Sequence, residues 1–346
     1  MRVLLIGGGV HPIPPTGYGA IERILTDLKA ALEAAGQEVV ILNRVRHRRM
    51  RDEYPFAWEL PRLLRGERYD VLHANTPVVA NRLAWSGTPY VFTSHSRHWY
   101  YRERLTHRWG YWLERRAVRG ASAVIALTEP LARTMRANVR PPLPPISVVP
   151  FGVDLARFAP AWDRRTGRRA LGVGVVAPFK RWHLAAAALR GTGASLRIAG
   201  PIVSPAYAEV VRRSGDDVTL LGEVSAEALE RLFAESDFLV HPSAVEVLSA
   251  TVLQALAAGL PVVGGDAVRG AVDEGVTGWS VPEGPGPVVD GLRAHATALL
   301  ADGSARRRMG DAARRVAEER YSWPSVAARH LEVYRSVVGT GPSRRS

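Results

Sequence analysis

Cysteine is absent from the 346 residues of this chain. That excludes disulfides, thiolate metal sites, cysteine nucleophiles and iron–sulfur clusters together, and it fits a reducing compartment. Long apolar runs are also missing. No stretch reaches the ~18 apolar residues of a membrane span, and the opening MRVLLIGGGVHP holds five apolar residues before its first glycine, too few for a signal-peptide core. The expected location is the cytoplasm, with room for peripheral attachment at the inner membrane surface. Lysine is almost missing: Lys29 and Lys180 are the only two, so 44 of the 46 cations are arginine. Base composition of the gene accounts for such a bias and makes a retained lysine a candidate for a position that needs an ammonium group.

What is present is an ordinary globular composition, 47% hydrophobic and 23% charged, and a length that favours two domains. The net charge of +13 is uneven. Residues 1–150 carry 22 basic and 12 acidic side chains, residues 151–346 carry 24 and 21. Two stretches concentrate the excess: Arg44–Arg51, RVRHRRMR, and Ser96–Arg119, where arginines alternate with Trp99, Tyr100, Tyr101, Trp109, Tyr111 and Trp112.

Short apolar runs alternate with helical periods along the whole chain, the pattern of βαβ units and a parallel sheet. Strands are predicted at Val3–Ile6, Glu38–Leu42, Asp70–His73, Tyr90–Thr93, Ala123–Leu127 and Ser147–Val149, then at Gly174–Val176, Ser195–Ala199, Val218–Leu221, Phe238–His241, Leu260–Val263 and Trp279–Val281. Between the halves, RPPLPPISVVP at Arg140–Pro150 forbids a helix. Two doubly wound domains of about equal size should meet there with a cleft between them, and ligands should bind beyond the carboxyl ends of the strands.

The first strand is followed by GGGVHPIPPTGYGAIER. A dinucleotide fingerprint starting at Gly7-x-Gly9 would need a third glycine where Pro12 stands, and the second strand ends in Asn43 and Arg44 instead of an acid. Arg44 leaves an NADP-dependent oxidoreductase as a minor alternative. What the loop does provide is Gly17-Tyr18-Gly19 just before an amphipathic helix, where glycines let amides approach an anion.

In the second half, GVGVVAPFKRWH sets Lys180 in the loop after the expected Gly174–Val176 strand, as a cation for phosphate oxygens. Further on, His241-Pro242-Ser243 and a loop carrying Glu246 lead to a helix expected over Ser249–Ala258. Amides of Leu248, Ser249 and Ala250 would be free to bind a diphosphate. Glu246 is placed to accept hydrogen bonds from sugar hydroxyls, and Gln254 follows eight residues later.

Together with PFGVDLARFAP at Pro150–Pro160, these strings resemble glycosyltransferase family 4, retaining enzymes of the two-domain GT-B fold. The resemblance runs from Arg2 to about Val338. The family pattern E-x-F-G-x-x-x-x-E reads here from Glu246-Val247-Leu248-Ser249 to Gln254, followed by Ala258-Gly259-Leu260-Pro261-Val262-Val263. The resemblance implies an α/β GT-B fold of two Rossmann-like domains: 1–150 for the acceptor, with helix 323–338 packing back on it, and 151–322 for the donor. It implies that Lys180 binds the donor diphosphate, Glu246 the donor sugar, Gln254 the ribose, and Gly17 and Gly19 the donor phosphates. His95, at the end of VFTSH, would lie near the reacting centre, with Arg97, Trp99 and Tyr100 beside it on the acceptor side.

The chain departs from the pattern at Gln254, at Leu248-Ser249 in place of Phe-Gly, at Ala20, and at Val175, where the family's usual arginine would stand. These departures admit a non-catalytic nucleotide-sugar-binding relative. No two aspartates stand two positions apart, so the D-x-D metal site of the other main glycosyltransferase fold is missing and a metal-independent reaction with no cofactor is expected. The resemblance implies sugar transfer from a nucleoside diphosphate sugar, with UDP the commonest base, to an acceptor hydroxyl with retention. A retaining hydrolase would need two carboxylates ~5 Å apart, and only Glu246 is a convincing cleft carboxylate. The basic first half fits an anionic acceptor, an acidic carrier protein or a membrane surface; without a recognised module, nucleic acid is a poor fit.

Overall fold

The computed structural model describes residues 1–15, 19–45, 53–101, 104–283 and 288–338. Gly17, Tyr18 and residues 46–51 of the first arginine stretch lie outside them. The chain divides into two units, Met1–Gly152 together with the chain from Trp323 onward, and Val153–Ser322.

In the first unit β1 (Arg2–Ile6), α1 (Ala20–Ala34), β2 (Glu38–Leu42), α2 (Glu53–Leu63), β3 (Val71–Ala74), α3 (Pro77–Trp85), β4 (Val91–Ser94), α4 (Leu105–Gly120), β5 (Ala123–Ala126), α5 (Glu129–Asn138) and β6 (Ile146–Val148) alternate without exception. All strands are parallel, in the order β2-β1-β3-β4-β5-β6. Strands β3, β4 and β5 are buried along their whole length, which is why their sequences read as apolar runs and not as alternations.

In the second unit β7 (Arg169–Val173), α6 (Trp182–Leu189), β8 (Ser195–Ala199), α7 (Pro205–Ser214), β9 (Val218–Gly222), α8 (Ala226–Glu235), β10 (Phe238–His241), α9 (Ala250–Ala257), β11 (Val262–Gly264), β12 (Gly278–Ser280), α10 (Val288–Ala301) and α11 (Gly303–Val316) build a parallel sheet ordered β12-β11-β10-β7-β8-β9. The final helix α12 (Trp323–Val338) belongs to the first unit, where Val326, Ala327, Leu331 and Tyr334 join the core of Val3, Leu5, Leu25, Leu28 and Val91. Helix starts follow local chemistry: Thr76, Thr128 and Ser204 each accept from an amide of the first turn, and a proline stands at the first or second helical position beside each.

Eleven of the expected strands lie within two residues of their predicted ends. The one opening the second unit does not: it is Arg169–Val173, not Gly174–Val176. Ala170 and Leu171 pair with Phe238 and Leu239 of β10 in the fully buried centre of the sheet. Gly174 has φ +145 and ends the strand, and its carbonyl lies where a Cβ on Gly200 would come within 2.2 Å. Only glycine tolerates that approach. Lys180 therefore sits seven residues past its strand, at the end of a loop that includes the single bridge between Val176 and Ile202.

Candidate functional site

In each sheet one pair of neighbouring strands sends its connections to opposite sides, and the crevice outside their carboxyl ends is where doubly wound sheets bind ligands. In the second unit that pair is β7 and β10. The loop after β7 carries Val175 and Lys180; the loop after β10 carries Ser243 and Glu246 and runs into α9. Lys180 Nζ donates to Glu246 Oε1 at 2.5 Å, with both side chains about five-sixths buried. Chain separation of 66 residues is closed by the sheet alone.

The lysine loop is fixed from below. Trp182 is fully enclosed, and its Nε1 donates to the Val175 carbonyl at 3.0 Å. Arg181, between Lys180 and α6, holds a left-handed backbone (φ 60, ψ 31), unusual for a non-glycine residue, and pairs with Glu283. Val175, where the resemblance would want a cation, contributes a carbonyl to this bracing and no charge.

Beneath the ion pair the structure leaves buried polar atoms unpaired. Both ring nitrogens of His241 and the hydroxyl of Ser243 are enclosed and have no hydrogen-bond partner among the described residues. Such orphans are rare in folded proteins and mark strain or a ligand position. Burial, reinforced by the Lys180 charge, holds the His241 imidazole down to about 3, so it is neutral beside the lysine. Ser249 precedes α9 without closing its first turn by a side-chain hydrogen bond, so amides at Ser249 and Ala250 keep free donor capacity. Gln254 is half-buried in the second turn.

The first unit carries a second cluster at the ends of β3 and β4. Asn75 Nδ2 donates to the carbonyls of Ile6 and His73, which leaves its Oδ1 to accept from His95 Nε2 at 3.3 Å. His95 is therefore the tautomer with a bare Nδ1, a hydrogen-bond acceptor. Burial, with His330 close by, pushes it down to about 4. His73 beneath it is bonded to Tyr334 at 2.8 Å and to Thr93 at 2.7 Å, and is held well below the ordinary histidine range by the same burial. Asn75, His95, His330, Phe151 and Trp323 line one small cavity. Nothing in the sequence signals Asn75, His73 or Tyr334, since 261 residues separate the last two.

Gly19 stands at the start of α1, where a Cβ would meet Pro15 and Glu22 at 3.0 Å. Asn43 does not face a cofactor: it accepts from the Gly9 amide and donates to the His11 carbonyl, tying the glycine loop to β2. Arg97 is exposed and Tyr100 half-buried. Trp99, expected on the acceptor side, is a core residue instead. It is fully enclosed, and its Nε1 donates to Ser94 Oγ and to Glu114 Oε2.

Glu114 is itself enclosed, with its second oxygen unpartnered. Burial pushes its carboxyl from 4.5 up to about 7, against the pull of hydrogen bonds from Ser94 and Trp99. Between those two values the folded chain keeps a proton that the unfolded chain has released, so stability falls as pH rises through the window. Glu114→Gln keeps an acceptor for Ser94 and Trp99 but does not titrate. Relative to the parent, the variant should gain little at pH 4.5 and ~3 kcal/mol at pH 8, read from denaturant unfolding of the first unit across pH. Parallel curves for the two proteins would show that Glu114 does not titrate differently on folding.

Comparison with known proteins identifies the two units. Residues 21–157 match the model "Glycosyltransferase Family 4", and residues 178–302 match "Glycosyl transferases group 1". Among curated proteins the chain is similar to alpha-maltose-1-phosphate synthase of Mycobacterium tuberculosis, 28% identical over 72% of this chain and 73% of that one. It is also similar to a GDP-mannose-dependent alpha-mannosyltransferase of Mycolicibacterium smegmatis, 34% identical over 54% and 51%. Among solved structures it matches sucrose-phosphate synthase from Thermosynechococcus elongatus (TM-score 0.79, 19% identity, 98% of this chain and 100% of that one). The Anabaena protein HepE, solved with UDP and glucose, matches with TM-score 0.72 at 18% identity over 97% and 100%. The oxidoreductase alternative falls with these matches: the chain carries a Glycosyltransferase Family 4 domain followed by a group 1 glycosyltransferase domain, and it is a glycosyltransferase of the GT-B fold.

Proposed function

We propose that the protein transfers a sugar from a nucleoside diphosphate sugar, with UDP as the base, to an acceptor hydroxyl with retention of configuration and without a metal ion. The observation that carries this reading is the Lys180–Glu246 pair at the strand crossover of the second unit, set over the unpaired His241 and Ser243 and beside α9. A diphosphate placed there meets one ammonium and a row of helix-end amides, a charge-stabilising set that needs no metal. Glu246 then serves two partners, accepting from Lys180 and from sugar hydroxyls. Gln254, one turn into α9, contacts the ribose as a neutral donor and acceptor.

The first unit receives the acceptor. His95 offers its bare Nδ1 to a hydroxyl of the acceptor, oriented by Asn75. In the reaction the bond from the anomeric carbon to the diphosphate oxygen breaks as the acceptor oxygen bonds to the same face of an oxocarbenium-like centre. The departing diphosphate takes the acceptor proton, so no protein nucleophile is required, and Lys180 stabilises the charge that develops on it. UDP rests on the nucleotide found in the HepE structure; the GDP-mannose-dependent relative makes guanosine the competitor.

The test is a thermal-shift series with UDP-, GDP- and ADP-sugars, followed by turnover in EDTA. A true donor at a hundred times its dissociation constant adds ~2.7 kcal/mol to stability. UDP-sugars should give that shift and EDTA should leave turnover unchanged. A shift with GDP-sugars alone would reassign the base, and activity lost to EDTA and restored by a divalent ion would end the metal-independent mechanism.

A further inference from the structure

One surface of the first unit is left unexplained by sugar transfer. On α4, Leu105, Trp109, Trp112 and Arg116 recur at intervals of four, three and four and share one face, as Leu113, Glu114, Ala117 and Val118 share the other. The outer stripe is open to solvent: Leu105 is 79% and Trp109 60% exposed. Trp109 Nε1 donates to the hydroxyl of Tyr54 on α2, whose next turn presents Trp58, 66% exposed, against Trp85 of α3, 68% exposed. Large aromatics thus run in contact across three helices, and contiguous exposed apolar side chains, unlike single scattered ones, mark an interaction surface.

The charge of this surface has one sign. Arg62, Arg108, Arg116 and Arg119 are exposed. The three helices hold only three acids: Glu114 is enclosed, Glu53 is half-buried, and Glu59 is paired with Arg44. We propose that the α2–α3–α4 face docks on an anionic lipid surface, its indoles at headgroup level and its arginines on lipid phosphates.

Two other occupants fit less well. A second copy related by two-fold symmetry would bring this patch against itself, arginine facing arginine with no exposed acid to answer. Single-stranded nucleic acid needs bare ring faces on which bases stack, and here the faces are engaged: Trp109 stacks on Trp112 at 4.9 Å, Arg116 lies over Trp112, and Arg82 lies over both Trp58 and Trp85. What points outward is suited to an interface that is apolar below and phosphate-rich above.

The test is flotation of the full chain with vesicles of phosphatidylglycerol and phosphatidylcholine, against pure phosphatidylcholine, at low and high salt. The protein should float with anionic vesicles only and be released by salt. Arg108→Gln combined with Arg116→Gln should weaken partition ~30-fold, taking ~1 kcal/mol for each arginine near the surface. Trp109→Ala combined with Trp112→Ala should also lose flotation while keeping the parental melting temperature. Failure to float, equal flotation with neutral vesicles, tighter binding to an oligonucleotide than to vesicles, or a dimer that the tryptophan variant dissolves would each overturn the assignment. None of these outcomes depends on the donor or the reaction.

Discussion

Lys180→Ala should lower turnover by ~10²–10³ while leaving the fold intact, measured as nucleoside diphosphate release under saturating donor. Among the described residues Lys180 is the one cation brought against Glu246 at the β7–β10 crossover, and it lies in a loop braced by Trp182 and Arg181. A charge held in place before the reaction contributes more to the transition state than to the bound donor, because charge on the diphosphate grows as the glycosidic bond breaks. A loss of 10²–10³ corresponds to ~3–4 kcal/mol, the size found when one preorganised stabilising group is removed. Lys180→Arg separates charge from shape. The guanidinium is planar and larger, and the Cε of Lys180 already stands 3.5 Å from where a Cβ on Gly174 would be, so the arginine variant should recover only part of the activity. Wild-type turnover in Lys180→Ala would remove this residue from the reaction.

The sequence made the fold readable because buried parallel strands are short apolar runs. It also singled out Lys180 and Glu246, each on its own, as a cation and a carboxylate beyond strand ends; that they pair across 66 residues is a product of the fold. The strand before Lys180 was misplaced because GVGVV looks more strand-like than RALGV; what decides is the pairing of Ala170 and Leu171 with β10, a non-local fact. Trp99 was misread for a related reason. Arginine and aromatic residues alternate through Ser96–Arg119, and only the register of α4 separates Trp109 and Trp112 outside from Glu114 inside, with Trp99 closing over Glu114. The unpaired state of His241 and Ser243 and the tautomer of His95 are properties of surroundings gathered from distant parts of the chain, and no motif carries them.

Trp182→Ala should lower the melting transition of the second unit by about 10 °C and leave that of the first unit in place, seen as separate transitions in calorimetry. The side chain is fully enclosed. A Cβ on Gly172 of β7 would lie 2.8 Å from its ring, so the indole packs directly on strand backbone, and it meets the His241 ring edge-on with centroids 6.4 Å apart. Truncating a buried tryptophan costs ~3–5 kcal/mol, and in a unit of about 170 residues each kcal/mol is worth ~2–4 °C. The loss has a second part, the Val175 carbonyl left without its donor. Trp182→Phe isolates it: the ring volume is largely kept, so the melting transition should move little, but the loop carrying Lys180 loses its tie. In that variant the KM for the donor should rise more than kcat falls. Equal melting shifts in both variants would mean that the lost hydrogen bond to the Val175 carbonyl, and not the packing of the ring, carries the stability, and an unchanged second transition in the alanine variant would show that the ring is not what supports the lysine loop.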